Sequence, residues 1–141
     1  MTPRTVVRIA LALLAVVGLQ VGLWAAFAPQ SFYDDFPGAG RVWVSVDGPY
    51  NQHLIRDVGA LNLALAVVAI VAFVTLSRAA VLAAGGAWLA YGVPHLVYHL
   101  RHLDPLESAD QVTVPVSLFL SVVLGALVLW TGWRNPGETL S

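Results

Sequence analysis

The chain has no cysteine and no lysine, and charged residues make up only 11% of its 141 residues. Without cysteine it can form no disulfide, no thiolate nucleophile, no iron–sulfur cluster and no cysteine-based zinc site. Seven arginines and eight acidic residues give a formal net charge of -1, so the basic excess typical of nucleic-acid-binding proteins is missing. We therefore expect no nucleic-acid partner, and any metal ligand must come from histidine, aspartate or glutamate.

Apolar residues dominate what is present: 58% of the chain is hydrophobic and the mean hydropathy is +0.76. A bilayer-spanning helix needs about 20 mostly apolar residues. Four segments meet this requirement, and the second and third are separated by only Ser77 and Arg78, which predicts an antiparallel helical hairpin. The sequence thus predicts one integral membrane domain over 1–141, an all-α bundle of four transmembrane helices at about 6–28, 57–76, 79–100 and 112–133.

The arginines predict the orientation of the spans. Arg4 and Arg8 precede the first span and no arginine follows it closely, which favours a cytoplasmic N-terminus under the positive-inside rule. This span exceeds the length of a signal-peptide core, and Pro29 follows its A-x-A-like end, so we expect a retained anchor. Both termini are then cytoplasmic, and all four histidines lie on the outer side.

The outer connection between the first two spans, from Pro29 to about Gln52, is rich in aromatic residues. Amphipathic rings are enriched at the headgroup layer, so we expect a long aromatic loop that lies on the membrane surface and caps the bundle. Gly48-Pro49 marks its end, with Pro49 suited to the first turn of the helix that follows. The aromatic residues are Phe32, Tyr33, Phe36, Trp43 and Tyr50.

Small and polar residues within the spans predict how the helices associate, because packing and interhelical hydrogen bonds replace the hydrophobic effect in lipid. Gly18 and Gly22 flank Gln20 in the first span, and Asn62 in the second needs a hydrogen-bond partner. We expect these positions to face neighbouring helices. A similar stripe in the fourth span comprises Thr113, Ser117, Ser121 and Gly125.

The last part of the third span carries imidazole and aromatic side chains on one helix face. At 100° per residue, its imidazole and aromatic side chains fall within about 100° of arc, and Pro94 adds a kink. At the outer end of the second span, His53 and Asp57 share a face because they are four residues apart. The sequence therefore predicts a polar cluster at the outer rim. The rings of the third span are Trp88, Tyr91, His95, Tyr98, His99 and His102.

Two kinds of ligand suit this cluster. A divalent transition metal ion would take His95 with His99, or His99 with His102, together with His53 or Asp57. Haem b would need an imidazole from each helix, His53 opposite His95 or His99. The candidate cofactor-binding residues are His53, His95, His99, Tyr91 and Tyr98, and the candidate metal ligands are His53, Asp57, His95, His99 and His102.

Alternatives without a ligand stay open. Histidine and tyrosine favour the membrane interface on their own, and Arg56 with Asp104 or Glu107 would form simple ion pairs. The chain would then be an accessory or scaffold subunit with membrane-protein partners, or a homo-oligomer. No G-x-S-x-G, phosphate loop or H-E-x-x-H motif is present, so we assign no catalytic residue and leave enzymatic activity open.

Three blocks carry a family resemblance: residues 32–37, residues 50–59 and residues 94–102. They resemble segments that recur in small four-helix bacterial membrane proteins of uncharacterised function, broadly DoxX-like in length and helix count. The resemblance covers most of the chain, although the arginine- and glycine-marked first helix of DoxX itself is missing. It implies a four-helix fold in a bacterial cell membrane and no particular activity.

Overall fold

A computed structural model describes residues 2–135 and 137, and within them the protein is all-α. Four helices are long and apolar enough to cross a membrane, as the hydropathy predicts. The element order is α1 (Pro3–Phe27), α2 (Pro29–Asp35), β1 (Pro37–Gly38), β2 (Arg41–Val42), a 3-10 turn (Ser45–Asp47), α3 (Gln52–Thr75), α4 (Arg78–Arg101) and α5 (Asp110–Arg134).

Helix α3 begins earlier than the hydropathy suggests. The side chain of Asn51 accepts a hydrogen bond from the amide of Leu54 and so caps the helix, which begins at Gln52 rather than near Asp57. The expectation that Pro49 occupies its first turn is wrong, because Pro49 lies before this cap. The predicted hairpin between the second and third spans is present: α3 ends at Thr75, and Ser77 caps α4.

Glycines bring α1 against α3. A Cβ atom at Gly18 would lie 2.9 Å from the carbonyl oxygen of Asn62, and one at Gly22 would lie 2.8 Å from Cγ of Leu63. Gly59 of α3 meets the backbone of Ala26 in the same way. The prediction that the two α1 glycines face a neighbouring helix is confirmed, and that helix belongs to the same chain.

A second close pair joins α4 and α5. Gly85 rests against the backbone of Leu129, and a Cβ atom at Gly125 would lie 3.3 Å from Cβ of Trp88. Within the predicted α5 stripe, Gly125 packs against α4, whereas the hydroxyls of Ser117 and Ser121 bond carbonyl oxygens of their own helix. Contacts of α3 with α4 are fewer than those within either close pair.

The core lies between these two pairs. It includes Leu11 and Leu14 of α1, Leu65 of α3, Trp88 of α4 and Val128 of α5, each at most 4% exposed. Because every long helix contributes to one cluster, the described part of the chain has one principal core, with a smaller aromatic cluster at one end.

That smaller cluster forms beneath the connection between α1 and α3. Phe32 of α2 is 5% exposed and packs with Ala25 and Ile55, so the connection is anchored rather than free. The sequence predicts an aromatic loop here, and the short helix α2 within it was not expected. The strands β1 and β2 pair through a turn in which Gly38 and Gly40 have positive φ, a region that glycine adopts at little cost.

Candidate functional site

A ladder of rings occupies the C-terminal half of α4, at the end of the molecule where α3 and α5 begin. Tyr91, His95 and His99 follow one another at single-turn spacing, with ring centroids 5.1 Å apart for the first pair and 4.9 Å for the second. Pro94 lies within the helix and does not interrupt it. The predicted ring face is therefore present, and we call this end of the molecule the histidine end.

His95 and His99 are brought together most closely. Their Nε2 atoms lie 3.1 Å apart, and both side chains are partly buried. The i, i+4 spacing places both rings on one face of α4, so helical geometry alone accounts for their meeting. In this arrangement one imidazole donates its Nε2 proton to the other, and each ring keeps its Nδ1 atom for other contacts.

The connection between α1 and α3 covers this pair. Asp47, in the 3-10 turn, accepts a 3.1 Å hydrogen bond from the hydroxyl of Tyr98 and lies within electrostatic range of both imidazoles. A narrow cleft forms between the connection and the end of α4. Its lining includes Trp43, Asp47, His99, His102 and Leu106.

His102 takes a different position from the other two histidines of α4. It is the C-cap residue, its Nδ1 atom lies 2.8 Å from the carbonyl oxygen of Tyr98, and its ring stacks on the Tyr98 ring at 4.2 Å. Because this nitrogen bonds the backbone, His102 does not form a close nitrogen–nitrogen pair with His99. It lines the cleft beside His99.

His53 and Asp57 form a separate pair. The Nε2 atom of His53 lies 3.3 Å from a carboxylate oxygen of Asp57, and their side chains are 89% and 62% exposed. Ile55 and Gly59 face the core, so residues two positions earlier on the helix, about 200° away, face outward. Across the described residues, no three histidine or carboxylate side chains are grouped to hold one metal ion.

The predicted combinations that join α3 to α4 are therefore not assembled. Across the described residues, His53 and Asp57 do not complete a metal site with His95, His99 or His102, and His53 is an exposed side chain paired with Asp57, whereas a haem ligand would lie in a shared pocket. Helical spacing predicts contacts within α4 reliably. It does not fix the rotation of α3, which depends on its packing against α1 through Gly59.

Asp47 and Trp43 are absent from the sequence-based candidates. Their approach to α4 depends on the path of the connection, which an ion pair between Arg41 and Asp110 fastens to the start of α5. Asp110 is 3% exposed, so this pair is partly buried. In the described part of the chain this pair, rather than Arg56 with Asp104 or Glu107, links elements at the histidine end.

The hydrogen bonds expected of Asn62 are present. Its Nδ2 atom donates to the carbonyl oxygen of Val58 at 2.9 Å and to the hydroxyl oxygen of Tyr91 at 3.3 Å, which links α3 to the first ring of the ladder on α4.

Comparison with known proteins adds no homologue to this geometry: no family model, curated protein or solved structure matches the chain.

Proposed function

We propose that this chain is a four-transmembrane-helix bundle of a bacterial cell membrane that binds a divalent transition metal ion through His95 and His99. Both termini are cytoplasmic in this proposal, and the aromatic connection covers the metal-binding pair at the outer rim. The four apolar helices support the membrane location, and the placement of the arginines supports the orientation.

The separation of the two imidazole nitrogens carries the metal proposal. If each Nε2 atom lay about 2.0–2.1 Å from one ion, as in zinc sites, their separation of 3.1 Å would correspond to an N–metal–N angle of roughly 100°. That angle lies between the ideals for square and tetrahedral coordination. To bind the ion, the donating imidazole would shift its proton from Nε2 to Nδ1, and both rings would turn so that their Nε2 lone pairs point at the ion instead of at each other.

The surroundings suit a cation with exchangeable ligands. Asp47 adds a negative charge near the pair, and Tyr98 holds its carboxylate in place. With two nitrogens from the described residues, the remaining coordination positions fall to water or an external ligand, whereas structural zinc sites are filled by four protein ligands. Cu²⁺, Ni²⁺ and Zn²⁺ all accept imidazole, and Cu²⁺ is the expected tightest binder.

Metal titration of the purified, detergent-solubilised protein tests the proposal. We expect one Cu²⁺ or Zn²⁺ ion per chain, and an affinity that falls at acidic pH because protons compete for imidazole. The double variant His95→Ala/His99→Ala should lose more than about 100-fold in affinity, because it removes both ligands, whereas removal of outer-shell partners alone costs about 10–100-fold. His53→Ala is the matched control, since it removes an exposed histidine at the same end of the molecule.

Two results would contradict the metal proposal: equal affinity in the double variant, or an equal loss in His53→Ala. Electron paramagnetic resonance of the Cu²⁺-loaded wild-type protein gives a readout that needs no variant. We expect hyperfine splitting from imidazole nitrogen, and a spectrum of oxygen ligands alone would exclude the pair. A Soret band in protein from a haem-replete host is not expected, because His53 does not face the pair.

A second candidate, an accessory subunit or homo-oligomer, is favoured by Gln20. This residue lies within the first span and is exposed, and in the described part of the chain its amide has no hydrogen-bond partner. An unpartnered amide in hydrocarbon is costly, and a second transmembrane helix would satisfy it. Gly18 and Gly22 do not serve this purpose, since α3 of the same chain covers them.

Chemical cross-linking in native membranes tests this candidate. Gln20→Leu should reduce a specific cross-linked species several-fold, and Gln20→Asn, which keeps the amide, should retain most of it. A chain that remains monomeric and without partners in membranes and in several mild detergents would exclude the accessory role.

A further inference from the structure

An apolar groove runs between α3 and α4, on the side where these helices contact each other least. It is an open surface groove with a volume of about 580 Å³. Leu61 and Leu65 line it from α3, and Ala87, Ala90, Tyr91 and His95 line it from α4. The side chains of the two alanines are small, which leaves room on the α4 side of the groove for an additional chain of atoms.

The groove is apolar over most of its length and opens sideways from two membrane-spanning helices. Hydrocarbon therefore surrounds its opening once the protein is in the membrane. A ligand that enters this way must itself be soluble in the bilayer, and a linear chain fits a groove that runs along two helices. Small polar ions and soluble metabolites are therefore excluded as the occupant.

Tyr91 supplies the groove with a hydrogen-bond donor. Its hydroxyl oxygen accepts the 3.3 Å hydrogen bond from Asn62, so its proton is left to donate. Among the described residues no acceptor receives that proton. In hydrocarbon an unused donor is unfavourable, and a ligand oxygen in the groove would satisfy it.

His95 lies one helical turn further towards the histidine end, about 6 Å along the axis from Tyr91. It faces the groove with part of its ring while its Nε2 atom pairs with His99. Tyr91 itself lies ten residues before the end of α4, about 15 Å inside the helix end, so the polar groups of the groove extend from mid-span towards the histidine end. The apolar part of the groove lies deeper, beyond Tyr91, and this distribution suits a molecule with a polar atom at mid-span and an apolar tail.

From this arrangement we infer that the groove binds a membrane-resident molecule with a linear apolar tail and a carbonyl or ester oxygen, which accepts the hydrogen bond of Tyr91. Tyr91 and His95 contact the polar part of this molecule, and Leu61, Leu65, Ala87 and Ala90 contact the tail. The binding does not require a metal ion at His95 and His99, so this inference stands or fails separately from the metal proposal.

Photo-cross-linking with the methyl ester of a diazirine-bearing palmitic acid tests the inference in lipid nanodiscs. We expect the label to map to the groove residues of α3 and α4. Ala90→Phe, which fills the groove, should reduce labelling at least fivefold. Ala126→Phe is the matched control, because Ala126 is an exposed alanine on α5 that does not line the groove.

Competition with two unlabelled molecules separates the polar contact from simple partitioning. Methyl palmitate should compete several-fold better than hexadecane, which lacks the acceptor oxygen, and Tyr91→Phe should remove that difference while the protein stays folded. Labelling spread evenly over the lipid-facing surface, or equal competition by both molecules, would each overturn the inference.

Discussion

At Gly18, the space that a side chain would occupy is filled by the neighbouring helix α3. A Cβ atom there would lie 2.9 Å from a backbone oxygen and 3.1 Å from Cβ of Ala66, and neither atom belongs to a flexible side-chain end. Gly86, also in a long apolar helix, has nothing within 4 Å of the same position. The two glycines therefore differ in packing while sharing the conformational freedom of the residue type.

Replacing these two glycines with alanine should give opposite results. Gly18→Ala must push α1 away from α3, so we expect a loss of about 1–3 kcal/mol in the free energy of unfolding. Gly86→Ala should be neutral or stabilise by up to ~1 kcal/mol, because alanine is the better helix former. Thermal unfolding of both variants in one detergent measures the difference, and equal melting temperatures would contradict the described contact.

Asp47 should affect the proposed metal binding by His95 and His99 through its charge. Since Tyr98 fixes its carboxylate near two imidazoles, Asp47→Asn should weaken metal binding about tenfold, the lower range for residues that support metal ligands. Asp34→Asn, which changes an exposed acid in the same connection, is the control. Titration with Zn²⁺ at low and high salt measures both, and an equal effect of the two substitutions would show that only net charge matters.

At the scale of elements, the connection between α1 and α3 is fastened at several points. Phe32 anchors α2 in the aromatic cluster, Tyr33 bonds the carbonyl oxygen of Gly48 at 2.7 Å, and Arg41 pairs with Asp110. Asp110 also lies in the first turn of α5, where the helix dipole favours a negative charge. These contacts make the connection an ordered cover for the end of α4.

The Arg41–Asp110 ion pair should control how readily a protease cleaves the connection. Asp110→Asn removes the charge that holds Arg41, so tryptic cleavage after Arg41 should become several-fold faster than in the wild-type protein. Asp104→Asn, an exposed acid in the neighbouring turn, should leave the rate unchanged. High salt should accelerate cleavage in the wild-type protein, because it screens the half of the pair that is exposed. A cleavage rate unaffected by Asp110→Asn would show that other contacts hold the connection.

At the scale of the whole molecule, the absence of cysteine allows a direct test of orientation. Single substitutions Ser108→Cys, at the histidine end, and Ala79→Cys, at the opposite turn, place one thiol at each exposed end. A membrane-impermeant maleimide should label the first in intact cells and the second only after the cells are opened. The reverse pattern would place the histidines on the cytoplasmic side and contradict the proposed orientation.

The sequence determined the number and approximate position of the long helices, because length and hydropathy are local properties. It also determined the meeting of His95 with His99, since a spacing of four residues fixes it within α4. In the same way, it placed Asn62 where a buried amide requires a partner, although it did not identify that partner as Tyr91.

Which helices pack against each other, and how each helix is rotated about its own axis, depends on the tertiary structure. Gly59 packs on the backbone of α1, and this contact rotates His53 and Asp57 outward, away from the imidazoles of α4. Asp47 reaches those imidazoles through an ion pair that joins residues 69 positions apart. Contacts between elements depend on helix rotation and on the path of the connection, and neither is a periodic property of the chain.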